Sequence, residues 1–307
     1  MNGNTEFLYR LGELRGEGDP GAVEAFLLRS AESHHPDRGG DAVMYCAVLN
    51  ETGSHYRGVG RYSESIEAFT ALLAILKRLS GESSTDYATA LGNLAGTFRL
   101  TGEHERSLEL LRQARDIVAG HDDPLLMASM HNYEAMARID MGRTAEAIQC
   151  LRAAEELLHL VPGAEMELAT THANLSAVLD RAGQFDEAET ALRRAKGLYE
   201  KIGATKTPHF AALLNSLGLM ARRRGDLAEA AADMERAAEV IEACLGRNIE
   251  YAIGKSNAAV IYEESGAASQ AVACRQAAVE VFAELLGPDH ERTRNAEREL
   301  RRLRDGG

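Results

Sequence analysis

Apolar residues fall along this chain at helical spacing. Residues 5–15 put Phe7, Leu8, Leu11 and Leu14 on one stripe, which predicts an amphipathic helix. Residues 21–33 do the same with Val23, Phe26, Leu27 and Ala31. Asp19 precedes this second stretch as a candidate N-cap, with Pro20 at the first helical position. From residue 42 the pattern gains a longer period. The stretch LGNLAGTFRLTG at 91–102 is the clearest copy of a unit that returns six times, each ending in a glycine: Gly60, Gly102, Gly142, Gly183, Gly225 and Gly266. The gaps between these glycines are 42, 40, 41, 42 and 41 residues. A fixed period in this range is the mark of a solenoid.

Other columns keep the same register. Seven positions before each glycine stands a small residue: Gly53, Ala95, Ala135, Ser176, Gly218, Ala259. Five positions after it comes Ser65, Ser107, Ala147, Ala188, Ala230 or Ala271, and seven further on Leu72, Ala114, Ala154, Ala195, Ala237 or Ala278. Between these two columns lie Phe69, Leu111, Leu151, Leu192 and Met234. The pattern predicts two antiparallel helices per unit. Small residues let the helices approach closely, and the glycine supplies the left-handed residue that ends the first one. One such hairpin cannot bury its apolar face alone, so neighbours must stack.

The order of small residue, bulky residue (Tyr56, Phe98, Tyr262), Gly, Ala, bulky residue, Ala resembles the tetratricopeptide repeat signature. The period exceeds the usual 34 residues or so and is similar to that of kinesin-light-chain repeats. LGPDHERT at 286–293, LGRNIEYA at 245–252 and LSGESSTDYA at 79–88 are similar to the loop of that type. The resemblance covers roughly residues 44–290. Repeat three departs most, with Arg138 and Thr144 where bulky residues are usual. The resemblance implies an all-α, right-handed superhelical α-solenoid of antiparallel helix hairpins. Six repeats would occupy 42–287, between an N-terminal capping hairpin at 1–41 and a C-terminal capping helix and tail at 288–307, in one continuous body.

Composition agrees. Aromatic content is 5%, Trp is absent and there are 6 Pro in 307 residues, so the chain favours helix. A formal charge of −13 argues against nucleic-acid or anionic-membrane partners. No apolar run suits a membrane span, and MNGNTEFLYR does not read as a secretory signal. The four cysteines, Cys46, Cys150, Cys244 and Cys274, are scattered, as expected in a reducing, cytoplasmic setting. No two have paired ligand spacing, so the sequence predicts no metal site and no cofactor. The ten His are dispersed, and no phosphate loop or catalytic motif appears. The expected protein is not an enzyme.

One column carries a binding signal. Nine or ten positions before each glycine there is an asparagine: Asn50, Asn93, Asn132, Asn174, Asn215 and Asn257. Asn inside a helix is unfavourable by about 0.5 kcal/mol relative to Ala. Six in register need a reason. Their amides can pair with the backbone of an extended peptide in a concave groove, or they can bond neighbouring helices and set the angle between repeats. Arg57, Arg99, Arg181, Arg222 and Arg223 lie near the same edge and suit carboxylates. Asp140, Asp180, Glu263 and Glu264 occupy the same columns elsewhere. The slots that hold Lys or Arg in two-carboxylate clamps are here Ala47, Thr89, Ser129, Thr170, Ala212 and Ile253, so that clamp is not expected.

The leading expectation is a non-catalytic scaffold or adaptor, monomeric or weakly self-associating, that takes a peptide or partner helix on this face. A second is a regulator that senses a signalling peptide. A third rests on His35-Pro36-Asp37, which with Arg38-Gly39-Gly40-Asp41 resembles the loop of J-domain cochaperones of Hsp70. The alternative reading of that stretch is a Pro/Gly breaker between hairpins.

Overall fold

The computed structural model describes residues 3–16 and 18–305. Among these residues there is no strand. Two helices come first, α1 (Gly3–Gly16) and α2 (Pro20–His34), then a short 3₁₀ turn at Pro36–Arg38. Six hairpins follow: α3 (Ala42–Gly58) with α4 (Tyr62–Leu79), α5 (Thr85–Leu100) with α6 (His104–Val118), α7 (Pro124–Asp140) with α8 (Thr144–Leu158), α9 (Glu165–Arg181) with α10 (Phe185–Lys201), α11 (Pro208–Arg224) with α12 (Leu227–Leu245), and α13 (Ile249–Glu264) with α14 (Ala268–Leu286). A last helix, α15, runs Glu291–Asp305. The chain forms two compact units that meet in sequence between Val161 and Pro162. The first holds α1 to α8, the second α9 to α15.

Local chemistry explains the boundaries. The six repeat glycines all have positive φ, from 72° to 84°, a region open to Gly at little cost. Side-chain caps open many helices. Asp19 accepts from the Gly21 and Ala22 amides, Asp41 from Val43 and Met44, Asp123 from Leu126 and Asn248 from Tyr251. Proline occupies the first turn of α2, α7 and α11. The expected helix from Pro288 starts later, at Glu291. The His290 ring nitrogen takes the Arg292 amide, leaving Pro288 and Asp289 in the preceding turn.

The columns pack as their sizes require. Ser65, Ala147, Ala188, Ala230 and Ala271 are fully buried in the second helices, and Phe69, Leu111, Leu151, Leu192 and Met234 are buried between them. A methyl group on Gly53 would come within 2.7 Å of the Phe69 ring, so in repeat one the first helix lies directly on its partner's bulky residue. In the first unit α1 and α2 seal the apolar face of α3. Phe7, Leu11, Leu14, Val23 and Leu27 pack on Met44 and Val48. In the second unit Met234, Ala258, Ile261 and Cys274 join neighbouring hairpins.

Candidate interaction site

The asparagines lie on the first helix of each hairpin. In the first unit the Asn93 amide donates to Asn50 Oδ1 at 2.9 Å, joining repeats one and two directly. Asn132 donates to the Ala128 carbonyl of its own helix at 3.2 Å. In the second unit Asn174 and Asn215 are half-buried and Asn257 is exposed. The buried Asn215 Oδ1 has no partner among the described residues. Asn50 and Asn93 thus join helices of neighbouring repeats, while Asn215 keeps an unpartnered acceptor among the described residues.

The arginines follow a register of their own. Arg57 donates to the Asn93 carbonyl at 3.1 Å and lies over the Phe69 ring. Arg99 pairs with Asp140 at 2.6 Å, Arg223 with Asp180, and Arg222 with Glu264. In each ion pair a residue three positions before one glycine meets a residue two positions before the next glycine. Glu263 continues the rule into α15, where Arg302 takes both of its oxygens at 2.6 and 2.7 Å. The Arg222 guanidinium holds the Glu264 carboxyl below the ordinary range, and Arg302 does the same for Glu263. Arg181 is exposed and makes no ion pair among the described residues. Four of the five arginines thus have a partner within the chain.

Beside the Asn50–Asn93 pair the first unit opens a cleft of about 460 Å³ between α3, α4 and α5. Leu72, Leu76 and Leu79 of α4 form one wall, and Val43, Cys46 and Ala47 of α3 the other. Asn50, Asp86 and Thr89 set polar groups at its rim. Val43 is 72% exposed and Leu79 51%, so much of this apolar surface faces solvent. Two of the slots without Lys or Arg, Ala47 and Thr89, line this cleft. Leu76 and Leu79 in its wall come from the C-terminal end of a second helix and belong to none of the repeat columns, so the sequence pattern does not mark it.

Repeat three holds a polar cluster. Glu134 is 7% exposed and binds Arg138 through one oxygen and Arg115 through the other. Burial works to raise the Glu134 pKa, but the two guanidiniums outweigh it and hold the group below the ordinary glutamate value. Arg138 also reaches Glu146 and the Cys150 sulfur. This accounts for the departure of repeat three from the bulky pattern: Arg138 replaces an apolar contact with a buried ion pair. A cavity of about 540 Å³ adjoins, lined by Arg115, Met127, His131, Glu156, Leu157 and Leu160 among others. Burial pushes the His131 pKa down.

The His35-Pro36-Asp37 turn is locally satisfied. The His35 ring nitrogen accepts from the Asp37 amide at 3.3 Å, and the ring packs on Tyr45 with centroids 4.9 Å apart. The Asp37 side chain is 83% exposed.

Models of the tetratricopeptide repeat match residues 45–119, 126–201 and 174–244, more than half of the chain. The chain belongs to the tetratricopeptide repeat family. Its repeat period of 40–42 residues is similar to that of kinesin-light-chain repeats. Protein KINESIN LIGHT CHAIN-RELATED 2 of Arabidopsis thaliana is 24% identical over 274 residues, which are 86% of this chain. This chain spans 40% of the length of that plant protein. Among solved structures, BtubC (BKLC) from P. vanneervenii is 19% identical, with a TM-score of 0.64 over 78% of this chain and 92% of that one. A Rap protein complexed with competence and sporulation factor is 14% identical, with a TM-score of 0.63 over 99% of this chain and 85% of that one. The fold is thus an all-α tetratricopeptide solenoid. Repeats of this family are generally non-catalytic scaffolds for protein–protein interaction. No described helix is long and apolar enough to cross a membrane.

Proposed function

We propose that this protein is a non-catalytic adaptor that binds a segment of a partner protein on the first-helix face of repeats one and two. The observation that carries the reading is the cleft between α3, α4 and α5, where exposed Val43 and Leu79 stand beside Asn50. A bulky aliphatic side chain of the partner fills it, burying apolar surface worth about 25 cal/mol per Å². The Asn50 amide and the Thr89 hydroxyl then meet the partner's backbone. Arg181, the one arginine of the five without a partner, offers a carboxylate contact elsewhere on the first-helix faces. The other members of the Asn column supply further backbone contacts. Four free cysteines accord with work in the reducing cytoplasm. The protein acts as a monomer or weak homo-oligomer and takes no nucleic acid.

The test separates binding from packing. Asn50→Ala with Asn93→Ala removes one inter-repeat hydrogen bond, worth about 1 kcal/mol net. Partner capture from native cytosol, read by mass spectrometry, should fall with this pair while melting changes little. A large loss of stability with capture intact assigns the two asparagines to packing.

A second reading, a peptide-sensing regulator, is favoured by the likeness to the Rap protein over nearly the whole chain, a likeness of fold alone. Such a regulator changes its radius of gyration when its ligand binds, whereas an adaptor keeps it. The cochaperone reading of His35-Pro36-Asp37 has a direct test, because Asp37→Asn must then abolish stimulation of an Hsp70 ATPase.

A further inference from the structure

We propose that repeat three binds a transition-metal ion of the zinc class on His131 and Glu134 of α7 and Cys150 of α8. One donor atom from each of these residues lies within 4.8 Å of the other two. Nitrogen, carboxylate oxygen and thiolate sulfur make a donor set suited to zinc and its borderline neighbours, and not to calcium or magnesium. Bonds of about 2.0–2.3 Å would draw the three atoms together by roughly 1 Å. Three protein ligands leave a fourth position, and His131 lines a cavity of about 540 Å³ that gives access to it.

His131 and Glu134 are three apart on one helix, so they share a face. Cys150 comes from the paired helix across the turn. Spacing along the sequence therefore conceals the site. The second observation is an orphan: the buried His131 Nδ1 has no partner among the described residues. Buried polar atoms of this kind ordinarily have a protein, water or ion partner.

The two arginines on Glu134 do not block a dication. Asp116 is held by Arg112, which leaves Glu134, Glu146 and Glu156 against Arg115 and Arg138. That is one negative charge in excess. Binding breaks the Cys150 S–H bond, forms the S–metal bond and releases the proton to solvent, so the excess becomes two and matches the ion. Arg138 then stays between Glu146 and the sulfur, and Arg115 turns toward Glu156 on the cavity wall. Arg138 thereby becomes a second-shell partner of the thiolate.

The probe is cobalt(II), which reports thiolate ligation by its charge-transfer absorption. The full chain, stripped with chelator and kept reduced, is titrated with cobalt chloride and then with zinc sulfate. The expected result is one equivalent of cobalt, a thiolate-to-cobalt band, and loss of the band as zinc displaces cobalt. Cys150→Ser and His131→Ala should each abolish the band while far-UV dichroism stays unchanged. Arg138→Met should weaken cobalt binding by about 10–100-fold. Absence of the band in the wild type overturns the proposal. A band that survives Cys150→Ser overturns it too, since another thiol is then the ligand.

Discussion

Gly53 shows how little room the repeat leaves between its helices. Its missing side chain is the space that the buried Phe69 ring fills. Gly53→Ala forces that ring to move, and urea denaturation should show a loss of about 1–3 kcal/mol. The Glu134–Arg138 pair makes a sharper prediction. Glu134→Leu removes the buried carboxylate that Arg115 and Arg138 share and leaves Arg138 only its Glu146 and Cys150 contacts, and the cost should be about 1–3 kcal/mol. Glu134→Leu with Arg138→Leu should recover most of it, because the column then regains the bulky apolar residue seen at Tyr56 and Phe98. If the double variant is no more stable than the single one, the pair is not the organising contact of repeat three. Some residues were legible from sequence and others were not. The buried columns and the turn glycines could be read directly, because packing requires small residues and positive φ at fixed spacing. Arg275 could not. It sits in the column of Phe69 and Met234, yet it is 8% exposed and its Nε lacks a partner among the described residues. Burial lowers its pKa. Nothing in the local sequence separates such a residue from a solvated one.

Between elements the charged register is the main finding. Within the first unit Arg99–Asp140 ties α5 to α7, and within the second Asp180–Arg223, Arg222–Glu264 and Glu263–Arg302 tie α9 to α11, α11 to α13 and α13 to α15. The sequence placed these residues in matching columns, but it did not show that they pair across repeats. Read one repeat at a time, an arginine there looks free for a ligand. The same blindness hid the His131, Glu134 and Cys150 cluster, which forms only once α7 and α8 fold together. A reversal tests the register. Arg222→Glu should cost up to about 1 kcal/mol, and adding Glu264→Arg should restore it, both read by thermal unfolding. The pairs also set an acid response. Glu263 and Glu264 have depressed pKa values in the folded chain, so their contribution is complete above the ordinary glutamate value, about 4. It is lost as pH falls below that value. Removing both carboxylates as Glu263→Gln with Glu264→Gln should flatten the decline of melting temperature in that window.

At the scale of the molecule the chain is a scaffold whose recognition chemistry is unevenly spread. Most of the arginine and acidic residues of the charged register are matched within the chain, and the cleft of repeats one and two sets exposed apolar side chains beside Asn50. Fold and family were readable because six registered copies repeat one packing problem. The cleft was not, since its lining comes from three helices, α3, α4 and α5, that meet only in the folded chain. The adaptor account stands on that cleft, and Thr89→Arg tests it most directly. Thr89 is exposed on α5, so an arginine there fills the cleft without disturbing the core. The control is Gln113→Arg on the exposed face of α6. The measurement is quantitative capture of partners from native cytosol by the wild type and both variants. The account predicts that the principal partner is lost with Thr89→Arg and kept with Gln113→Arg. Equal retention by both variants would contradict it.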